Sequence, residues 1–236
     1  MSRDKVLLII PAYNEEASIS KLCQQIKKTS YDYVVINDGS TDSTADILDK
    51  NHFNHIDLVH NLGIGGAVQT GYKYALENNY DIAVQVDADG QHDIEYVKKV
   101  IQPIIDKKTN LVIGSRFTDR TLNNFFSTPM RRCGIKMLSN TIRFFSGKRI
   151  YDVTSGFRAA DKEVIKKFAE DYPLEYPEPV SEFELLKSGY KLKEVSVKMH
   201  ERNGGKSSIH TWKNGYYMLN VILSIILVQL RSKKDV

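Results

Sequence analysis

The sequence predicts an α/β domain, a mainly parallel sheet with helices on both faces. Three observations predict it. Short apolar runs alternate with helix-like stretches through the first half of the chain. Nearly every run ends in a cluster of small and polar residues. The 236 residues, 42% hydrophobic and 26% charged, suffice for one real core and exclude a disordered or collagen-like chain.

The elements follow in order. Residues 6–10 read as a buried strand and 18–28 as a helix with Ile19, Leu22, Cys23 and Ile26 on one face. Strands are predicted at 33–36, 56–59, 82–86 and 111–113, separated by helices at 43–50, 65–78 and 94–106, the last reaching Pro103 or running past it. In such sheets a ligand sits at the carboxyl ends of the strands. The second half reads as an apolar–basic helix marked by Ile135, Leu138, Ile142 and Phe145, then a helix near 161–168. A proline-rich loop at 172–179, a helix at 180–188, a strand at 192–197 and an apolar helix at 216–230 complete the reading.

Charge and cysteines narrow the class. Lys and Arg number 33 against 29 Asp and Glu, and a net charge of +4 does not argue for nucleic acid. Cys23 and Cys133 form no disulfide framework and read as thiols of a reducing compartment. The first apolar run stops at Pro11, so no signal peptide is read there. Residues 121–149 hold Arg131, Arg132, Lys136, Arg143, Lys148 and Arg149 and no acid, interleaved with phenylalanines. That bias suits a helix with a core face, or anionic lipid headgroups. The 216–230 run is short of the roughly 20 residues needed to span a bilayer. It suits a helix in the membrane interface, on a small membrane subunit, on a second copy, or on the domain's own core, with Asn220 and Ser224 forming a polar stripe.

Asp87-Ala88-Asp89 is the sharpest local signal. Two carboxylates spaced i, i+2 at a strand end can converge on one hard cation, Mg2+ or Mn2+, which bridges to a diphosphate. The bland reading is a solvated turn with Asp93 capping the next helix. His92 reads as a loop residue. Asp38 can accept from a base or ribose, because Ser40 and Asp42 also stand ready to cap the following helix. Asn61-Leu62-Gly63-Ile64-Gly65-Gly66 is not a dinucleotide fingerprint, since position 68 is valine and the run follows the third strand. Its glycines allow close backbone approach and a helix N-terminus tolerant of an anion. No phosphate-binding loop of the G-x-x-x-x-G-K-[ST] type is present.

These pieces form an ordered set. Pro11-Ala12-Tyr13-Asn14-Glu15-Glu16, Asn37-Asp38-Gly39-Ser40, the 61–66 loop, Asp87-Ala88-Asp89-Gly90, Gly114-Ser115-Arg116-Phe117 and Asp152-Val153-Thr154-Ser155-Gly156-Phe157-Arg158 follow one another. Together, over roughly residues 4–210, they closely resemble family 2 glycosyltransferases of the GT-A fold, most of all the dolichol- or polyprenyl-phosphate sugar synthases. The resemblance implies a UDP- or GDP-sugar donor, inversion at the anomeric carbon, a divalent metal (Mg2+ or Mn2+) and a polyprenyl phosphate or lipid-linked glycan acceptor. It implies nucleotide-sugar contacts at Pro11, Ala12, Tyr13, Asn14, Glu15, Asp38, Gly39, Asn61, Gly66, Asp87, Ala88, Asp89 and Ser155, with the metal at Asp87 and Asp89. Arg116 would lie near the phosphates or sugar.

Many relatives carry an acid in a Y-P-E-P-E-like segment. Here it reads Tyr176-Pro177-Glu178-Pro179-Val180, leaving Glu178 or Asp152 as candidate bases. Glu182 or Glu184 could substitute from the following helix, but both read first as a solvated helix face. Arg202-Asn203-Gly204-Gly205-Lys206-Ser207-Ser208 reads as a lid over the diphosphate, with Arg202, Lys206 and Arg131 as phosphate or acceptor contacts, and His200 and His210 as structural flanks. The expected organisation is a catalytic domain at 1–210, split into a nucleotide-sugar half (1–115) and an acceptor half (116–210), then an apolar helix and basic tail at 211–236. The expected location is the cytoplasmic face of the cell membrane.

Overall fold

The structure, a computed structural model, describes residues 4–119, 129–199 and 213–231, and their side chains except at 129–131 and 213–217. Strand β1 (Val6–Ala12) is followed by α1 (Ile19–Ile26), β2 (Asp32–Asn37), α2 (Thr44–Lys50), β3 (His55–Asp57) and α3 (Gly63–Glu77). Then come β4 (Ile82–Gln85), a short 3-10 turn, α4 (Val97–Ile105) and β5 (Leu111–Ser115). The second half holds α5 (Pro129–Ser146), β6 (Arg158–Asp161), α6 (Lys162–Glu170), α7 (Pro177–Lys187), β7 (Leu192–Ser196) and α8 (Lys213–Arg231).

The strands form one seven-stranded sheet in the order β3-β2-β1-β4-β6-β5-β7. All run parallel except β6, which is antiparallel to both β4 and β5. Along β1 the side chains alternate. Leu7 and Ile9 enter the core under α3, α5, α6, α7 and α8, while Leu8 and Ile10 enter the core under α1, α2 and α4. The sheet is thus covered on both faces, which explains the near-continuous apolar runs of the first half.

Two expectations change. Residues 158–161 form a strand that the sequence reading did not include. The strand is four residues long, with a charge at each end, so it carries no apolar run to announce it. Helix α7 starts at Pro177 rather than at 180, because proline at the first helical position loses only a hydrogen bond the helix start lacks anyway.

Helix α8 buries Val221 and Ile225 in the core and exposes Leu219, Leu223, Leu227 and Leu230 on its other side. Asn220 turns to the Tyr176 hydroxyl at 3.2 Å instead of joining an outward polar stripe. Lys187 holds the helix C-terminus through the carbonyls of Val228 and Gln229. No helix among the described residues is long and apolar enough to cross a membrane.

Helix α3 packs on β1 at Gly71, where an added Cβ would lie 2.2 Å from Ile9 Cγ2. Gly71→Ala is therefore expected to destabilise the fold by about 1–3 kcal/mol through overpacking, despite alanine's better helix propensity. Urea unfolding should show a lower midpoint with an unchanged slope.

Candidate active site

The loops after β1, β2 and β4 meet at one edge, and hydrogen bonds staple the first two together. Asn14 adopts positive φ (55°), and its Oδ1 accepts the Thr41 N–H at 2.8 Å. The N–H groups of Asn14 and Glu15 donate to the hydroxyls of Ser40 and Thr44 at 3.0 and 2.9 Å. Glu16 accepts from the Ser43 N–H at 3.0 Å. Pro11 and Ala12 are buried at the end of β1, whereas the Tyr13 ring is half exposed. At the start of α2, Asp42 accepts the Thr44 N–H at 2.9 Å, and the N-cap residue Ser43 makes no side-chain capping bond.

Asp38 is therefore not the cap, as its neighbours implied. It is buried, and its Oδ1 accepts the Leu62 N–H at 2.7 Å, fastening the 61–66 loop to the end of β2. Burial raises its pKa, opposed by the Leu62 and Gly63 amides. Gly39 sits at φ +65°, where a Cβ would lie 2.9 Å from the Asn61 nitrogen. Asn61 accepts the Gly63 N–H at 3.0 Å. The close approach expected of the glycine run occurs, but the neighbour is the chain itself. A Cβ at Gly65 would lie 2.4 Å from the Leu174 carbonyl, and one at Gly66 2.5 Å from Leu62 Cβ.

The Asp87–Asp89 loop leaves β4 beside this edge. Asp89 is nearly buried and accepts the Gln91 N–H at 3.0 Å, and Ala88 is buried between the two acids. Asp87 Oδ1 accepts from Gln85 Nε2 at 3.3 Å, and Oδ2 lies 3.6 Å from His92 Nε2. His92 is more than a loop residue. It is buried, stacks on Phe157 at 4.9 Å, and its Nδ1 accepts the Asp87 N–H at 3.0 Å. That bond leaves the proton on Nε2, facing the carboxylate.

Across the edge, at the end of β5, Arg116 and Asp152 form a buried bidentate pair. Nε donates to Oδ2 at 2.8 Å and Nη2 to Oδ1 at 2.5 Å, while the Arg116 backbone N–H also reaches Oδ2 at 2.9 Å. Nη2 also contacts the Thr154 hydroxyl at 3.1 Å. Glu194 of β7 fixes the same loop by accepting the N–H groups of Tyr151 and Asp152, each at 2.8 Å. Ser155, buried, gives its hydroxyl proton to the Gly114 carbonyl at 2.6 Å. Arg131 lies in α5, its side chain outside the described set, and Arg202, Lys206, His200 and His210 lie outside the described residues.

Behind Asp87 lies a polar cluster that the sequence reading missed. Arg158 is fully buried and donates to Ser181 at 2.9 Å, to Gln85 Oε1 at 3.3 Å and to the Tyr172 hydroxyl. Glu182, expected on a solvated face, is fully buried instead, within the field of Arg158. Glu184 is half-buried. The Glu178 pKa is raised by burial, opposed by Arg158, with Asp87 adding a smaller push upward. Two signals were available: glutamine closing an apolar strand at 85, and arginine ending the last motif at 158.

The chain superposes on glucosyl-3-phosphoglycerate synthase from Mycobacterium tuberculosis, crystallised with Mn2+, UDP-glucose and phosphoglyceric acid. The TM-score is 0.68 over 96% of this chain and 80% of that one, at 19% identity, which is the expected GT-A fold. The chain belongs to glycosyl transferase family 2, whose model matches residues 7–169. It is 35% identical over 219 residues to UDP-N-acetylglucosamine–dolichyl-phosphate N-acetylglucosaminyltransferase of Methanococcus voltae, covering 84% of this chain and 86% of that one. It is 28% identical over 233 residues to undecaprenyl-phosphate mannosyltransferase of Micrococcus luteus, covering 92% of each.

Glu182 generates a pH prediction. Burial raises its pKa well above the ordinary 4.5, outweighing Arg158. The folded state then keeps a proton that the unfolded chain releases, so this group's contribution to stability falls as pH rises above 4.5. Glu182→Gln should flatten that decline above pH 4.5, read from urea titrations of both proteins. An unchanged slope would mean that Arg158 keeps Glu182 ionised.

Proposed function

We propose that this family 2 glycosyltransferase moves a sugar from a UDP- or GDP-sugar onto a lipid phosphate, polyprenyl phosphate, with inversion at the anomeric carbon. The observation that carries the proposal is the placing of Asp87 and Asp89 in the loop after β4, with Asp87 in the field of the Arg116 guanidinium that Asp152 holds. The similarity to a dolichyl-phosphate and an undecaprenyl-phosphate transferase supports the acceptor class.

Pro11, Ala12, Tyr13, Asn14, Glu15, Asp38, Gly39, Asn61 and Gly66 belong to the loops that would cradle the nucleoside. Asp87 and Asp89 fit Mg2+ or Mn2+, because both offer hard oxygen donors. Among the described residues no cluster of three or more His, Cys, Asp or Glu is placed to hold a metal ion. When bound, the ion supplies neutralisation of the charge that grows on the departing diphosphate. Arg116 adds fixed positive charge at the same edge, with Asp152 orienting it and Ser155 holding the loop. Arg131, Arg202 and Lys206 are assigned to the acceptor and donor phosphates.

A lipid phosphate is already an anion and needs no deprotonation. Extension of a lipid-linked glycan is the second reading, in which Glu178, at the start of α7 and pushed up in pKa by burial, would act as the base for a hydroxyl acceptor. The exposed leucines of α8 and the basic face of α5 suit peripheral attachment at a membrane surface, reached from the cytoplasmic side.

The test is a screen of radiolabelled nucleotide sugars with polyprenyl phosphate and Mn2+. An organic-extractable, mild-acid-labile product is expected. Asp89→Asn should lower its formation by about 100-fold or more. Label entering only a preformed glycan would replace the first reading with the second, and undiminished turnover by Asp89→Asn would remove the metal assignment.

A further inference from the structure

Gln85 joins two things that the sequence keeps far apart. It is fully buried at the end of β4, and each end of its amide is engaged. Nε2 donates to Asp87 Oδ1 and Oε1 accepts from Arg158 Nη2, both at 3.3 Å. The strand ladder fixes this meeting, because β4 and β6 pair antiparallel with Gln85 opposite Arg158. Arg158 is anchored in turn by the Ser181 hydroxyl, the Tyr172 hydroxyl and the fields of Glu178 and Glu182.

An amide can present either end to a neighbour, but a guanidinium can only donate. Arg158 therefore draws the amide oxygen to itself and leaves the NH2 group facing Asp87. A carboxylate accepts that proton, so the two preferences agree. Asp87 is bounded from its other side by His92 Nε2 at 3.6 Å from Oδ2.

We propose that Arg158 and Gln85 are positioning residues that set the rotamer of the Asp87 carboxylate for the divalent cation. This rests on reading Asp87 and Asp89 as the metal pair. Groups that orient a metal-binding side chain typically change affinity 10–100-fold when removed. Neither residue touches the donor in this account; both act through Asp87.

The test is Mn2+ binding to the full chain with saturating UDP, read from the free-ion signal in electron paramagnetic resonance. Gln85→Met keeps the side-chain length and removes both hydrogen bonds. It is expected to weaken Mn2+ binding about 10-fold. In turnover, the Mn2+ concentration for half-activation should rise by a similar factor, with excess Mn2+ recovering most of kcat. Arg158→Lys keeps the buried positive charge, loses the fork, and should give the same shift. If it fails to fold, Gln85→Met decides alone. Asp89→Asn is the control for the underlying reading and should lose Mn2+ binding outright. Parent-like binding by Asp89→Asn would overturn the metal pair itself. Loss in Asp89→Asn with parent-like binding in Gln85→Met would overturn only the positioning role.

Discussion

The site depends on one reversed strand. Strand β6 runs antiparallel between β4 and β5 in an otherwise parallel sheet. A parallel strand in that place would carry the 152–156 segment to the opposite edge, away from the ligand-facing loops. Running antiparallel, β6 is entered from the loop edge. Its register sets Arg158 opposite Gln85, and two residues earlier Gly156 stands over Asp87. The same approach lets Asp152 reach Arg116 at the end of β5.

The reversal is accompanied by buried charge. Taking the Arg116–Asp152 pair and the Arg158 guanidinium out of water is expensive, and a buried ion pair rarely adds net stability. Removing one partner of a buried pair, however, typically costs about 3–5 kcal/mol. The described side chains are accordingly cross-braced. Asp152 takes three N–H groups from Arg116, and Glu194 holds the backbone of the Asp152 loop. A carboxylate so held has little freedom to seek another partner, which fits a catalyst whose charged groups are set before the donor arrives.

Much of this was legible in the sequence. The strands of the first half are buried on both faces, so they read as apolar runs, and the polar residues after them fall in the loops that meet at one edge of the sheet. The ordered motifs gave the family. What the sequence hid was pairing. Residues 158–161 are too short and too polar at their ends to read as a strand, and without β6 neither Gln85 nor Arg158 has a visible partner. Glu182 looked solvated because a charged residue on a short helix usually is. Its burial follows from α7 packing its Glu182 side toward Arg158, a tertiary fact. The glycines at 65 and 66 were correctly tied to close approach, but only the fold showed that the approaching atoms belong to residues 174 and 62.

The 216–230 run was also partly legible. Its apolar residues divide into a core-facing pair, Val221 and Ile225, and an exposed leucine row, so one helix both closes the domain and presents an apolar face. The account's central claim, however, lies at the reversed strand. At Gly156 an added Cβ would lie 2.8 and 2.9 Å from the two Asp87 oxygens. Calorimetry of Mn2+–UDP binding to Gly156→Ala, with thermal unfolding alongside, measures that closeness directly. The account predicts a folded protein whose Mn2+–UDP affinity is lost or sharply reduced; parent-like affinity in a folded variant would contradict it.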